Sequence, residues 1–387
     1  MINIPYARQE INEEDILAVV NTLKSDWLTQ GPMIERFEQA VADYCGVKYA
    51  VAVNSATSGL HIACLAAGLG AKDILWTSPN TFVASANCGL YCGATVDFID
   101  IDPRTYNMNV EELKHKLEAA NRTGTLPKVL IPVHFAGQSC VMDEIHCLAK
   151  RYGITVIEDA AHAVGGSYKG EKVGNCRYSD MVVVSFHPVK IVTTAEGGMV
   201  LTNCQELYEK LLLLRSHGIT RDVRRMTGES HGPWYYQQID LGFNYRITDV
   251  QAALGISQMK RIDKFVERRH VLANRYNEEL KDLPFTLPWQ HLDNYSAYHL
   301  YVIRLQLSEI TKTRRMIFEE LRERGVGVNV HYIPVHTQPY YQELGFSWGD
   351  FPQAEAYYHE AVSIPMYYGL QDDQQAYVIR ILKEVTR

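Results

Sequence analysis

The chain has 387 residues, 47% of them hydrophobic, enough for a large core and for two domains at about 100–200 residues each. Its net charge is −7 with no run of lysine or arginine, so it lacks the basic footprint that a phosphate backbone requires, and nucleic acid is excluded as a partner. Residues 1–10 hold no apolar core behind basic residues, and no stretch approaches about 18 uninterrupted apolar residues, which points to a soluble cytoplasmic protein with no membrane partner.

In chain order, Asn12 is placed to cap a helix whose apolar residues Ile16, Val19, Val20 and Leu23 form one face. Strand-like and helix-like runs then alternate: 49–54 and 55–67, 94–99 and 109–120, 128–133 and 142–152, then 154–158. Such alternation implies crossover units and an α/β fold with a mostly parallel sheet. The strands are continuous apolar runs, as expected where helices cover both faces. Ligands collect beyond the carboxyl ends of such strands, the rim where Asn54, His134, Asp159 and Ser185 fall. A long helical pattern over 247–275 leaves this unit, and the remainder predicts a smaller α+β domain ending in a helix over 372–385. We therefore expect a large domain over 1–255 and a small C-terminal domain over 256–387. The eight cysteines are irregularly spaced within the first 204 residues, and Cys88 and Cys92 have no second ligand pair at zinc spacing, so reduced thiols and no metal site are expected.

Lys190 stands just beyond the apolar strand 181–186 and just before the turn Thr193-Thr194-Ala195-Glu196-Gly197-Gly198. A lysine so placed is partly desolvated, which favours the neutral amine needed for attack. Asp159 ends another apolar strand in Glu158-Asp159-Ala160-Ala161-His162. Together they suggest pyridoxal 5'-phosphate, which needs a lysine for its covalent link and an acid to keep its ring nitrogen protonated, so that the ring acts as an electron sink. Around them, the amides of Ala56 and Thr57 open a helix that can cradle a phosphate, Ser185 offers a hydroxyl, Phe82 a stacking face and Asn244 an amide. His162 is within reach of a cofactor ring, and Arg246 can grip a carboxylate or phosphate. Each also has a plainer use: a solvated lysine, a strand-end cap, a core histidine or aromatic, an interface arginine.

The segments Asp26 to Pro32, Asn54 to His61, Thr81 to Asn87, Glu158 to Gly165, Ser185 to Gly198, Gly242 to Gly255 and His331 to Pro334 resemble, in order and nearly end to end, the DegT/DnrJ/EryC1/StrS sugar-nucleotide aminotransferases. That resemblance implies the fold-type I aminotransferase architecture and an enzyme in which Lys190 carries the cofactor and Asp159 faces its ring nitrogen. It also implies Phe82 on the ring face, Ala56, Thr57 and Ser185 at the phosphate, and Asn244 supplied by the neighbouring subunit of a homodimer. Tyr6, Asp26, Trp27, Leu28, Thr29, Asn329, Val330, His331 and Tyr332 would line the sugar-nucleotide pocket. Many relatives carry glutamine where this chain has His162. Phe186 to Lys190, Arg215 to Thr220 and Asn244 to Asp249 are most similar to the pseudaminic acid branch, which implies amination of a UDP-linked 4-keto-6-deoxy N-acetyl hexose with glutamate as donor. The Thr-Ala-Glu-Gly-Gly turn and His162 are shared with the branch that makes 4-amino-4-deoxyarabinose for lipid A, the nearest alternative. A regulator or scaffold that keeps the fold without catalysis is the alternative from another class.

Overall fold

Asn12 does cap the first helix, α1 (Glu13–Leu23): its side chain accepts from the Asp15 amide while the Asp15 carboxylate accepts from the Asn12 amide, both at 3.0 Å. In this computed structural model, which describes residues 3–386, α1 is rotated from the face predicted for it. Asp15 and Thr22 are buried, and Ile16, Leu17 and Leu23 are exposed. The cause is polar: Gln258 Nε2 donates to Asp15 Oδ2 at 2.7 Å, and Arg261 forms an ion pair with the same carboxylate. A buried carboxylate with partners fixes the rotation more firmly than an apolar stripe does.

The chain continues through α2 (Pro32–Cys45), β1 (Tyr49–Val53), α3 (Ala56–Ala66), β2 (Ile74–Thr77), α4 (Ala84–Tyr91), β3 (Thr95–Phe98), α5 (Val110–Thr123), β4 (Val129–Ile131), α6 (Met142–Tyr152), β5 (Thr155–Asp159), β6 (Met181–Ser185), β7 (Gly198–Thr202) and α7 (Gln205–Arg215). The long strands form one seven-stranded sheet in the order β1-β7-β6-β5-β4-β2-β3. Strand β7, which the sequence reading does not contain, runs antiparallel to both neighbours, and the other pairings are parallel. Successive side chains of the central strands serve opposite cores: Val183 and Val200 face one cluster with Leu60 and Ile62, while Val182, Val184, Met199 and Leu201 face another with Phe37 and Val41. Both faces are thus covered, which is why these strands read as unbroken apolar runs.

The helical pattern over 247–275 divides into α8 (Asp249–Met259) and α9 (Ile262–Leu280), broken beside Arg261, which reaches Asp15. Beyond it, β8 (Phe285–Thr286), β9 (Tyr301–Leu305) and β10 (Ala361–Ile364) form an antiparallel sheet with a core of its own, closed by α10 (Arg314–Glu323) and the helix Asp372–Val385. Ile4 belongs to that core too: its amide donates to Gly325 O at 2.8 Å and its carbonyl accepts from the Gly327 amide at 2.7 Å. The start of the chain is thereby joined to its C-terminal third.

The sheet register builds the rim. Gly198 is the cross-strand partner of Val53 on one side and Ser185 on the other, so the ends of β1 and β6 meet at a residue without a side chain. A β-carbon on Gly198 would lie 2.5 Å from Ala56 N and 2.6 Å from Ser55 C, both backbone atoms that cannot swing away. Gly198→Ala is expected to cost about 1–3 kcal/mol of stability by overpacking, read as a lowered urea midpoint at unchanged slope.

Candidate active site

Beyond the carboxyl ends of the strands lies a cavity of about 440 Å³. Lys190 reaches it from the turn after β6, where its amide donates to His187 O at 2.9 Å. Among the described residues its amine makes no hydrogen bond or ion pair. Burial lowers its pKa to about 8, with the Asp159 carboxylate opposing the shift. The strand-end position thus gives an amine with a far larger neutral fraction near physiological pH than an exposed lysine has.

Asp159 closes β5 and is buried. Its Oδ2 accepts from Ser85 Oγ at 2.6 Å and its Oδ1 from the Ala161 amide at 3.0 Å. Ser85 Oγ lies 2.7 Å from Thr81 Oγ1, in the segment before α4, so the serine hydroxyl that orients the carboxylate is itself held by a second hydroxyl. Opposite, α3 opens at Ser55, whose Oγ accepts from the Ser58 amide at 3.1 Å. That contact leaves the Ala56 and Thr57 amides without a capping partner, at the positive end of an 11-residue helix. Ser185 lies beside them across Gly198.

The C-terminal third supplies the other wall. Asn329 to Tyr332 and His299 line the cavity together with Tyr6. Burial, then the neighbouring Lys190, lowers His331 to about 4. Burial also holds His162 and His299 well below the ordinary histidine range, their rings 4.4 Å apart. His162 is engaged at both nitrogens, by the Ala136 amide at 3.2 Å and Tyr332 Oη at 3.0 Å. Phe82, 57% exposed, stands at the mouth with its ring 6.2 Å from that of Tyr332.

Twelve of the residues singled out from sequence therefore meet in one cavity: Tyr6, Ala56, Thr57, Phe82, Asp159, His162, Ser185, Lys190, Asn329, Val330, His331 and Tyr332. Six do not line it: Asp26, Trp27, Leu28, Thr29, Asn244 and Arg246. Asp26 to Thr29 are exposed on a segment held to α8, where the Asp249 amide donates to Leu28 O at 3.0 Å. Asn244 is exposed and bridges Ser216. The sequence reading passed over Ser85, Thr81 and His299. Ser85 is 74 residues from the carboxylate it serves, and no local pattern signals that contact.

The model of the DegT/DnrJ/EryC1/StrS aminotransferase family matches residues 9–383. The chain belongs to this family. As a member it is a pyridoxal phosphate-dependent sugar aminotransferase acting on nucleotide sugars, built on the α/β fold the sequence predicts. It is 40% identical over 387 residues to the spore coat polysaccharide biosynthesis protein SpsC of Bacillus subtilis, covering 99% of this chain and 97% of that one. It is also 40% identical over 363 residues to the UDP-4-amino-4,6-dideoxy-N-acetyl-beta-L-altrosamine transaminase of Campylobacter jejuni, covering 94% and 92%. Among solved structures, Helicobacter pylori PseC, an aminotransferase involved in the biosynthesis of pseudoaminic acid, superposes with a TM-score of 0.90 at 31% identity over 99% of both chains.

The cavity suits the family's cofactor on its own chemistry. An unpartnered amine, a buried carboxylate held by two donors and a helix start with two free amides face one space, matching an aldehyde, a pyridinium and a phosphate. Because the neutral fraction of an amine grows as pH rises through its pKa, labelling of Lys190 by an amine-directed reagent in the cofactor-free protein should be half-maximal near pH 8. Surface lysines should follow near about 10.4. Competitive labelling with peptide mass analysis reads this, and a midpoint above about 10 for Lys190 would contradict the burial argument. Ser85→Ala removes one donor from Asp159, and the loss should appear as about 1–3 kcal/mol in unfolding free energy or cofactor affinity.

Proposed function

We propose that the protein transfers the amino group of glutamate to the 4-keto carbon of a UDP-linked 4-keto-6-deoxy N-acetyl hexose, giving the 4-amino sugar nucleotide used in pseudaminic acid biosynthesis. The observation that carries the chemistry is the free, desolvated amine of Lys190 facing the buried Asp159 carboxylate. When bound, pyridoxal phosphate supplies an electron sink that stabilises negative charge on the carbon losing its proton. Lys190 would hold the cofactor's aldehyde, and its amine, neutral in part, could serve as base and then as acid for the proton that the donor carbon loses. Asp159 keeps the ring nitrogen charged by a hydrogen bond that Ser85 and the Ala161 amide aim. The Ala56 and Thr57 amides and Ser185 bind the phosphate, Phe82 covers the ring, and Asn329 to Tyr332 with Tyr6 bound the sugar.

The active unit in this reading is a homodimer. Lys190 is the one lysine or arginine lining the cavity among the described residues, so a dicarboxylate donor and a diphosphate substrate need cations from elsewhere. Asn244, Arg246 and Asp26 to Thr29, which lie outside this chain's cavity, would serve the neighbour's. Exposed Ile16, Leu17, Leu23, Trp27 and Leu28 give a second copy an apolar surface to cover.

The choice of sugar rests on the Campylobacter transaminase and PseC. SpsC, at the same 40% identity, favours another nucleotide sugar as the second reading. Purified protein should be yellow and bleach with glutamate, and borohydride should fix the cofactor to Lys190. A panel of 4-keto nucleotide sugars should give a 4-amino product with the UDP N-acetyl sugar. Lys190→Ala should lose turnover by about 10²–10⁴-fold or more while remaining a dimer. Label on another residue would refute the chemistry, and turnover of a different sugar would refute the substrate.

A further inference from the structure

The hydrogen bonds around His162 have a fixed direction, and it decides what Tyr332 offers the cavity. Ala136 lies in the short turn Phe135–Gly137 with φ of +56°, a left-handed conformation that costs a non-glycine residue about 1–2 kcal/mol. The turn is held from its far side. The Ala297 amide donates to Gly137 O at 3.0 Å and the Leu300 amide to Ala136 O at 3.3 Å, while a β-carbon on Gly137 would lie 2.6 Å from Tyr298 N. In this posture the Ala136 amide points at His162 Nδ1, 3.2 Å away.

An amide can only donate, so Nδ1 carries no proton and the neutral ring carries its proton on Nε2. Nε2 is 3.0 Å from Tyr332 Oη, so His162 donates and Tyr332 accepts. The phenol's own proton then has no place on His162. Among the described residues no protein acceptor takes it, and Tyr332 lines the cavity.

We propose that the Ala136 amide and His162 together set Tyr332 as a fixed hydrogen-bond donor into the cavity, serving an acceptor oxygen of the bound cofactor or of the keto substrate. The groups that face this chain keep it in one state. Burial, then Lys190 and His331, opposes a second proton on His162, and burial, then Asp159 and Tyr6, keeps Tyr332 a phenol. His299 packs against His162 with the rings tilted by 48° and its own Nδ1 buried and unpartnered, so it offers His162 no competing hydrogen bond through that atom. A donor fixed before the occupant arrives stabilises negative charge on its oxygen without reorganising. Tyr332 is thus a binding residue whose polarity is set by two groups behind it.

The inference rests on the functional reading above, and its test separates the two. At position 162, glutamine can accept from Ala136 and donate to Tyr332, as histidine does, whereas glutamate can only accept and would turn the phenol proton away from the cavity. Tyr332→Phe is therefore measured in the wild-type, His162→Gln and His162→Glu backgrounds, with unfolding midpoints confirming that each variant folds. Pyridoxal phosphate affinity, the pH at which the bound cofactor changes colour, and kcat and KM for the keto sugar are read. A cofactor acceptor predicts a loss of about 10- to 100-fold in affinity, or a displaced colour change. A substrate acceptor predicts the loss in kcat/KM alone. Either loss should occur in the wild-type and His162→Gln backgrounds and vanish in His162→Glu. Nitrogen NMR of ¹⁵N-histidine protein without cofactor should find His162 neutral and protonated on Nε2. A Tyr332→Phe protein matching wild type in every readout, or a proton on Nδ1, overturns the inference. Failure of the wild type to bind the cofactor or turn over any keto sugar overturns instead the functional reading.

Discussion

Between Gly198 and the first turn of α3 there is no space for a side chain, and the two backbones meet almost directly. Because β7 is inserted antiparallel between β1 and β6, this one residue brings the start of α3 and Ser185 to the same point on the rim. Asp159 ends the next strand over, and Lys190 follows β6 by five residues. The relative positions of an anion-binding helix start, an amine and a carboxylate are consequences of sheet register and one absent β-carbon. None of the three depends on a long flexible loop, and rigid elements are what a chemical site of this kind requires.

Within that frame the electrostatics are economical. Away from its solvent-exposed edge, the cavity gathers Lys190, the Asp159 carboxylate and the buried histidines His162, His299 and His331, and burial moves the lysine and these three histidines toward their neutral forms. Lys190 and the histidines reinforce one another, since a proton on any one raises the cost of a proton on the next. For the Asp159 carboxylate, Ser85 and the Ala161 amide supply donors that replace the water it lost.

What could be read from the chain follows from how local each signal is. Lys190 and Asp159 are legible because each stands where an apolar run of strand length stops, and a buried parallel sheet exposes its chemistry at such ends. The starts of α3 and α6 are legible from the small polar and acidic residues that open them. The rotation of α1 is not, because the partners of Asp15 lie more than 240 positions away and overrule the apolar stripe. The same contact explains why one helical pattern becomes α8 and α9. Ser85 and His299 escape notice for a similar reason: a serine in a helix and a histidine before a strand carry no period, and only the folded chain brings them to Asp159 and His162. Sheet order is likewise hidden, and with it the antiparallel β7.

Arg269, on α9, is buried without a carboxylate, and burial lowers its pKa to about 10. Its Nη1 instead donates to Tyr298 O at 3.0 Å, His299 O at 3.2 Å and Met366 O at 2.9 Å. One cation thereby ties two remote stretches of backbone into a tripod behind the histidine wall, and moving that wall would strand a charge in an apolar interior. Phe82, His187 and Glu196 line the same cavity and meet solvent, so the cavity is open at residues that this tripod does not hold.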